Sequence, residues 1–160
     1  MAFNASDRQR LAAQVKEGEG LRLKAYRCTA GALTVGYGHN CDARPVPGVT
    51  REGDAITLGH AEGLFEADLA HSVEQVLGTL PWLDLHAPAR QAVLFDMAYN
   101  MGLGIPGKSG LLSFSNTLYK VELGDYAGAA RGMLASKWAR QVKGRADKLA
   151  KQMESGQWQA

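Results

Sequence analysis

The chain has 160 residues, 46% of them hydrophobic and 21% charged, which suits one compact globular domain or two small lobes sharing a core. A net charge of +2 favours approach to an anionic polymer but is too small for the dense cationic footprint of a nucleic-acid binder, and no segment reaches the roughly 18 consecutive apolar residues of a membrane helix. Two cysteines, Cys28 and Cys41, are too few for a disulfide framework and lack the paired spacing of a zinc site, so free thiols in a cytoplasmic product are expected, with no metal and no cofactor.

In chain order, Ser6 and Asp7 offer caps for a first helix with Leu11, Ala12 and Val15 at helical spacing, weakened at its far end by Gly18 and Gly20. Asp7, Arg8, Arg10 and Lys16 interrupt this stretch, so neither a signal peptide nor a membrane anchor is expected. Leu23 to Tyr26 and Leu33 to Val35 are short runs separated by Thr29-Ala30-Gly31, the pattern of a hairpin, and Gly36-Tyr37-Gly38 marks a tight backbone path. Asn40 to Asp54 reads as a loop with room for one more edge strand. Thr57 is an N-cap for a long helix whose stripe runs Ala61, Leu64, Phe65, Leu69, Val73, Val76 and Leu77.

Beyond Gly78 every candidate is helical. Pro88 opens a segment apolar nearly all round, through Val93, Phe95 and Met97 to Tyr99, which ends at Gly102 and Gly104. Weaker candidates follow over Asn116 to Leu123, Tyr126 to Ser136 and Arg145 to Glu154, with Gly156 as terminator. The fold class expected is α+β, mainly helical. Residues 1–56 form a small N-terminal lobe with a hairpin or three-stranded sheet, whose first helix can pack on the other lobe; 57–78 form a connecting helix, and 79–160 a helical C-terminal lobe. Two such lobes would leave a cleft between them.

Cleaving a glycosidic bond takes an acid for the departing oxygen and a second group that handles water on the other face. Glu19 sits where the first helix gives way to the hairpin, with Cys28 at the end of the first strand and Thr34 in the second. Taken singly, each has a plainer reading: a surface carboxylate, a small buried hydrophobe, a good strand former. Together they stand in Glu19-Gly20-Leu21-Arg22-Leu23-Lys24-Ala25-Tyr26-Arg27-Cys28, then Gly31, then Thr34-Val35-Gly36-Tyr37-Gly38-His39. This pattern resembles the signature of T4-type phage lysozymes, a glutamate followed after eight residues by aspartate or cysteine and after five more by threonine. Further matches run from Ile56-Thr57 through Asp68, at Phe114-Ser115-Asn116-Thr117, and from Trp138 through Arg145 to Trp158.

The resemblance implies a muramidase, a glycoside hydrolase that cuts the β-1,4 bond between N-acetylmuramic acid and N-acetylglucosamine in bacterial peptidoglycan, with inversion at the reacting carbon. It makes Glu19 the general acid and gives Cys28 and Thr34 the attacking water. Cysteine stands where many relatives carry aspartate, and at an ordinary thiol value near 8.5 it would be mostly neutral at pH 7. It also implies that Arg145 supports Glu19, that His39 pairs with Asp68, and that Tyr26, Tyr99, Asn100, Phe114 and Asn116 face the sugar polymer, while Trp138 belongs to the core. An endolysin of this kind would be a monomer that waits in the host cytoplasm until a holin opens a route to the wall. Three rivals stay open: a thiol hydrolase in which His39 activates Cys28, a virion protein that grips peptidoglycan without cutting it, and a disulfide between Cys28 and Cys41.

Overall fold

A computed structural model describes residues 2–159. Its described residues form seven α-helices and one three-stranded antiparallel sheet in the order β1-β2-β3. In chain order these are α1 (Ala5–Glu19), β1 (Arg22–Arg27), β2 (Leu33–Gly36), β3 (His39–Asn40), α2 (Leu58–Thr79), α3 (Pro88–Met101), α4 (Ser115–Leu123), α5 (Tyr126–Leu134), α6 (Lys137–Val142) and α7 (Gly144–Ser155). The chain divides into two compact units: a hairpin unit of residues 12–71, and a helical unit of residues 1–11 with 72–160.

In the hairpin unit, β1 and β2 pair Tyr26 with Thr34 and Arg27 with Leu33, and a register shift between Arg22 and Tyr26 bends β1. The other edge of β1 is also covered, since Ala25 N–H donates to Asp54 C=O at 2.8 Å and Ile56 N–H to Leu23 C=O at 2.9 Å. Strand alternation turns Ala25, Leu33 and Val35 into a small core completed by Cys41, Val46 and Val49. It turns Tyr26 and Thr34 to the opposite face, side by side. Thr57 caps α2 as expected, its Oγ1 accepting from His60 N–H at 3.1 Å.

The helical unit is built around α3, in which every residue from Gln91 to Ala98 is buried. Pro88 stands at its first turn, and Gly102 ends it at φ 81. Asp125 and Ser136 cap α5 and α6 through Gly128 N–H and Ala139 N–H, and Gly156 closes α7 in the left-handed conformation. Between α3 and α4 the chain makes a loop pinched at its base by Gly104 and Gly110. A Cβ on Gly104 would run into the Ser109 carbonyl, and one on Gly110 would lie 2.7 Å from the Gly102 oxygen.

Two local expectations need correction. The first helix starts one residue before Ser6, and its cap is Asn4: Asn4 Oδ1 accepts from Asp7 N–H at 2.9 Å while Asp7 Oδ2 accepts from Asn4 N–H at 3.0 Å. Asp7 is therefore the reciprocal partner in a capping box rather than the cap. The short helix α6, around Trp138, was not foreseen. It fills the stretch between the candidates Tyr126 to Ser136 and Arg145 to Glu154, and Ser136, expected as the end of the first, caps it instead.

Candidate active site

Glu19 is the last residue of α1 and is half-buried. Gly20 follows at φ 72, a conformation that glycine adopts without penalty, and turns the chain into β1. The carboxylate lies against the backbone of Gly38. A Cβ added there would sit 2.6 Å from Glu19 Oε1, so the close approach exists because position 38 carries no side chain.

Cys28 stands just beyond β1, where the chain turns back. Its N–H donates to Ala32 C=O at 3.0 Å, and its C=O accepts from Gly31 N–H at 2.8 Å. Burial raises the thiol's pKa, but the neighbouring backbone of Ala32, Ala30 and Gly31 and the Thr34 side chain lower it. Their sum holds Cys28 below the ordinary thiol value. Thr34 is buried, and its Oγ1 also lies 2.9 Å from the Ala32 carbonyl, which fixes the hydroxyl next to Cys28.

Tyr26 ties this group together. Burial pushes its phenol up, the Arg22 guanidinium stacked 4.0 Å from the ring centre pulls it down, and negative charge at Glu19 and at Cys28 pushes it up again. One phenol thus feels both the carboxylate and the sulfur. Acid, thiol and hydroxyl all belong to the hairpin unit.

His39 is buried between two oxygens: Nδ1 lies 2.7 Å from Asp68 Oδ2 and Nε2 2.9 Å from the Arg44 carbonyl. Two acceptors call for two N–H donors, which is the charged imidazolium. Its pKa is raised, chiefly by the hydrogen bond to Asp68, against the opposing effect of burial. Arg44 Nη2 adds a second cation 3.5 Å from Asp68 Oδ1. Both ring nitrogens being engaged, His39 has none left to activate Cys28, and the thiol-hydrolase reading loses its base. Cys28 and Cys41 are both free thiols, Cys41 being buried in the small core.

The other expected residues lie in the helical unit. Arg145 is held by Asp96, with Nη2 at 2.6 Å and Nε at 3.0 Å from the same Oδ1. Asp96 is a buried carboxylate inside α3, and an acid within so apolar a run was a visible signal that the sequence reading passed over. Trp138 is buried, and its indole N–H donates to Asn100 Oδ1 at 2.9 Å, so that amide oxygen serves the core. Tyr99 is half-buried and Asn116 exposed. Phe114 meets Trp138 edge to face at 6.1 Å and lines a pocket of about 580 Å³ with Met101, Lys108, Ser113, Lys137 and Gln141. Among the described residues no three His, Cys, Asp or Glu side chains gather as metal ligands would.

A mainly helical α+β chain with this three-stranded sheet has the architecture of a lysozyme, a glycosidase-class enzyme. The pattern of the phage lysozyme family covers residues 16–155, and the chain belongs to that family. It is 33% identical over 126 residues to the endolysin of Acyrthosiphon pisum secondary endosymbiont phage 1, which spans 79% of this chain and 75% of that protein. It is 31% identical over 159 residues to the pre-baseplate central spike protein Gp5 of Enterobacteria phage T4, covering 87% of this chain but 26% of the spike protein's length. A probable T4-type lysozyme of Dictyostelium discoideum is 24% identical over 161 residues, 89% and 92% of the two chains.

Proposed function

We propose that this protein is an endolysin that hydrolyses the β-1,4 bond between N-acetylmuramic acid and N-acetylglucosamine in peptidoglycan, with inversion. The observation that carries the reading is geometric: Glu19 packs against Gly38 at the end of α1, and Thr34, paired with Tyr26 across the sheet, holds its hydroxyl on the Ala32 carbonyl in the turn that carries Cys28. Glu19 gives its proton to the bridging oxygen as the bond from that oxygen to the anomeric carbon breaks. A water lodged by Cys28 and Thr34 forms the new bond from the other face. Its proton passes to the Cys28 thiolate, which takes the place of the aspartate found in many relatives. Arg145 and the His39–Asp68 pair are assigned supporting roles, and Tyr26, Tyr99, Asn100, Phe114 and Asn116 roles on the polymer.

Clearing of a peptidoglycan suspension is the test. Glu19→Gln should slow clearing by about 10²–10⁴-fold, the usual worth of a general acid, with the fold intact. Cys28→Asp should be active, and Cys28→Ala should fall well below both. Following the first-formed anomer by NMR checks the stereochemistry, and retention there would remove the direct attack of water.

The similarity to a spike protein favours a second reading, a virion-associated protein of the same fold that binds the glycan and cuts it weakly or not at all. Binding of sacculi without clearing by the wild-type chain would select it. Among the described residues no helix is long and apolar enough to cross a membrane. For an endolysin we assign a monomer that a holin releases from the host cytoplasm to the wall. Lysis from within, abolished when the holin is withheld, is the matching assay.

A further inference from the structure

Gly36 and Gly38 bracket Tyr37, and both glycines have positive φ, 70 and 73. A three-residue turn with two such hinges has little stiffness of its own, because glycine leaves the backbone many conformations. Yet this turn forms the wall against Glu19, since a Cβ on Gly38 would come 2.6 Å from Oε1. The opposite side of the turn rests on α2, where a Cβ on Gly36 would find Ala61 at 3.6 Å. What holds the turn between helix and acid is the side chain of Tyr37.

The Tyr37 hydroxyl donates to Glu62 Oε1 at 3.0 Å, and Glu62 Oε2 accepts from Lys16 Nζ at 2.6 Å. Lys16 lies three residues before Glu19 on α1, and Glu62 lies on the first turns of α2. The Tyr37 ring meets Phe65 of α2 edge to face at 5.3 Å, and the Lys16 ammonium lies 5.2 Å from the Tyr37 ring and 5.0 Å from the Phe65 ring. One phenol therefore joins the turn that touches Glu19, the last turn of the helix that carries Glu19, and the start of α2. The protonation states suit the arrangement. Burial and the Glu62 carboxylate raise the Tyr37 phenol, which stays a donor, while Lys16 keeps Glu62 below its ordinary value.

We propose that Tyr37, anchored by the Lys16–Glu62 pair, is a positioning residue for Glu19: it sets the Gly36–Gly38 turn that fixes where the acid's oxygen stands. This rests on Glu19 being the general acid. A misplacement of the order of 1 Å at such a group costs up to about a hundredfold in rate.

The experiment compares kcat, KM and Tm of the full chain on solubilised peptidoglycan strands for Tyr37→Phe, Glu62→Ala and Glu62→Gln, with Glu19→Gln as control. Tyr37→Phe keeps the ring and loses only the hydroxyl, and should lower kcat about 10- to 100-fold with KM within twofold. Glu62→Ala should match it, and Tyr37→Phe with Glu62→Ala together should be no worse than either alone. Glu62→Gln, which still offers an oxygen to the phenol, should recover most of the rate. Wild-type kcat in Tyr37→Phe overturns the proposal, as does a loss that follows Tm downward or that appears in KM. If Glu19→Gln is fully active, the general-acid reading has failed and the positioning role goes with it. If Glu19→Gln is dead while Tyr37→Phe is normal, only the positioning role has failed.

Discussion

The two units are built on different principles. Among the described residues, the largest fully buried side chains include Phe95, Leu94, Met97, Leu111, Met133, Leu149 and Met153 in the helical unit, and Phe65 stands alone for the hairpin unit. The hairpin unit closes over a core of six small or medium residues, buries Val15, Ala61, Phe65 and Leu69 besides, and is tied further by directional bonds, His39 to Asp68 and Arg44, Lys16 to Glu62, and Tyr37 to Glu62. Apolar volume is insensitive to angle, whereas hydrogen bonds fix positions to a few tenths of an ångström. The acid, thiol and hydroxyl stand in the unit with the fewer large buried side chains, where these bonds carry more of the positioning. Charge divides likewise: residues 12–71 contain six Lys or Arg against eight Asp or Glu, and the rest of the chain twelve against eight. The net positive charge thus resides in the helical unit.

The comparison breaks most readily at the centre of the helical unit. Phe95→Ala removes a fully buried ring and should cost about 3–5 kcal/mol, read as a lower denaturant midpoint, with little change in kcat for whatever fraction remains folded. A large loss of kcat in stable protein would show that the helical unit governs the chemistry as closely as the hairpin unit does. Asp96→Ala comes next. It strips a buried partner from Arg145, itself mostly enclosed, and should cost about 3 kcal/mol, checked by the same titration.

The hairpin unit should answer to pH instead. Because the folded-state pKa of His39 is raised, its pairing stabilises fully below the unfolded imidazole value of about 6.5 and is lost as pH rises through the folded value. The Tm gap between wild type and Asp68→Asn should be widest near pH 5.5 and narrow in alkali to what the Arg44–Asp68 pair contributes. A gap independent of pH would mean that Asp68 acts through Arg44 and packing and not through a charged His39. The smallest effect belongs to a residue outside either core. Thr57→Ala should cost about 1 kcal/mol through the lost cap, and thermal melts showing no shift would mean that water replaces it.

What the sequence made legible were features written locally. Glycines and small residues between β-prone runs marked the hairpin, the stripe from Ala61 to Leu77 marked α2, and Pro88 and Gly102 bounded α3. The pairing of His39 with Asp68 was anticipated through the family pattern, and the structure brings the two within hydrogen-bond distance. Other features had no local sign. Tyr37 and Glu62 are 25 residues apart and Arg145 and Asp96 are 49 apart, and no periodicity connects either pair. Asn100 is placed on the polymer by the family resemblance. That its oxygen receives the Trp138 indole depends on α6, a six-residue helix too short to show a periodic stripe. Local grammar writes helices and turns, whereas partner choice among polar groups is settled when the elements meet.

The neck of the loop between α3 and α4 has a practical side. Where Gly104 and Gly110 cross, main chain presses on main chain and even a methyl group has nowhere to go, yet Pro106 and Gly107 between them are exposed. The hoop can therefore be lengthened, tagged or relabelled at its crown while its clasp stays closed. A peptide spliced between Pro106 and Gly107 would be presented on a ready-made stem, and a single alanine at the clasp would undo it.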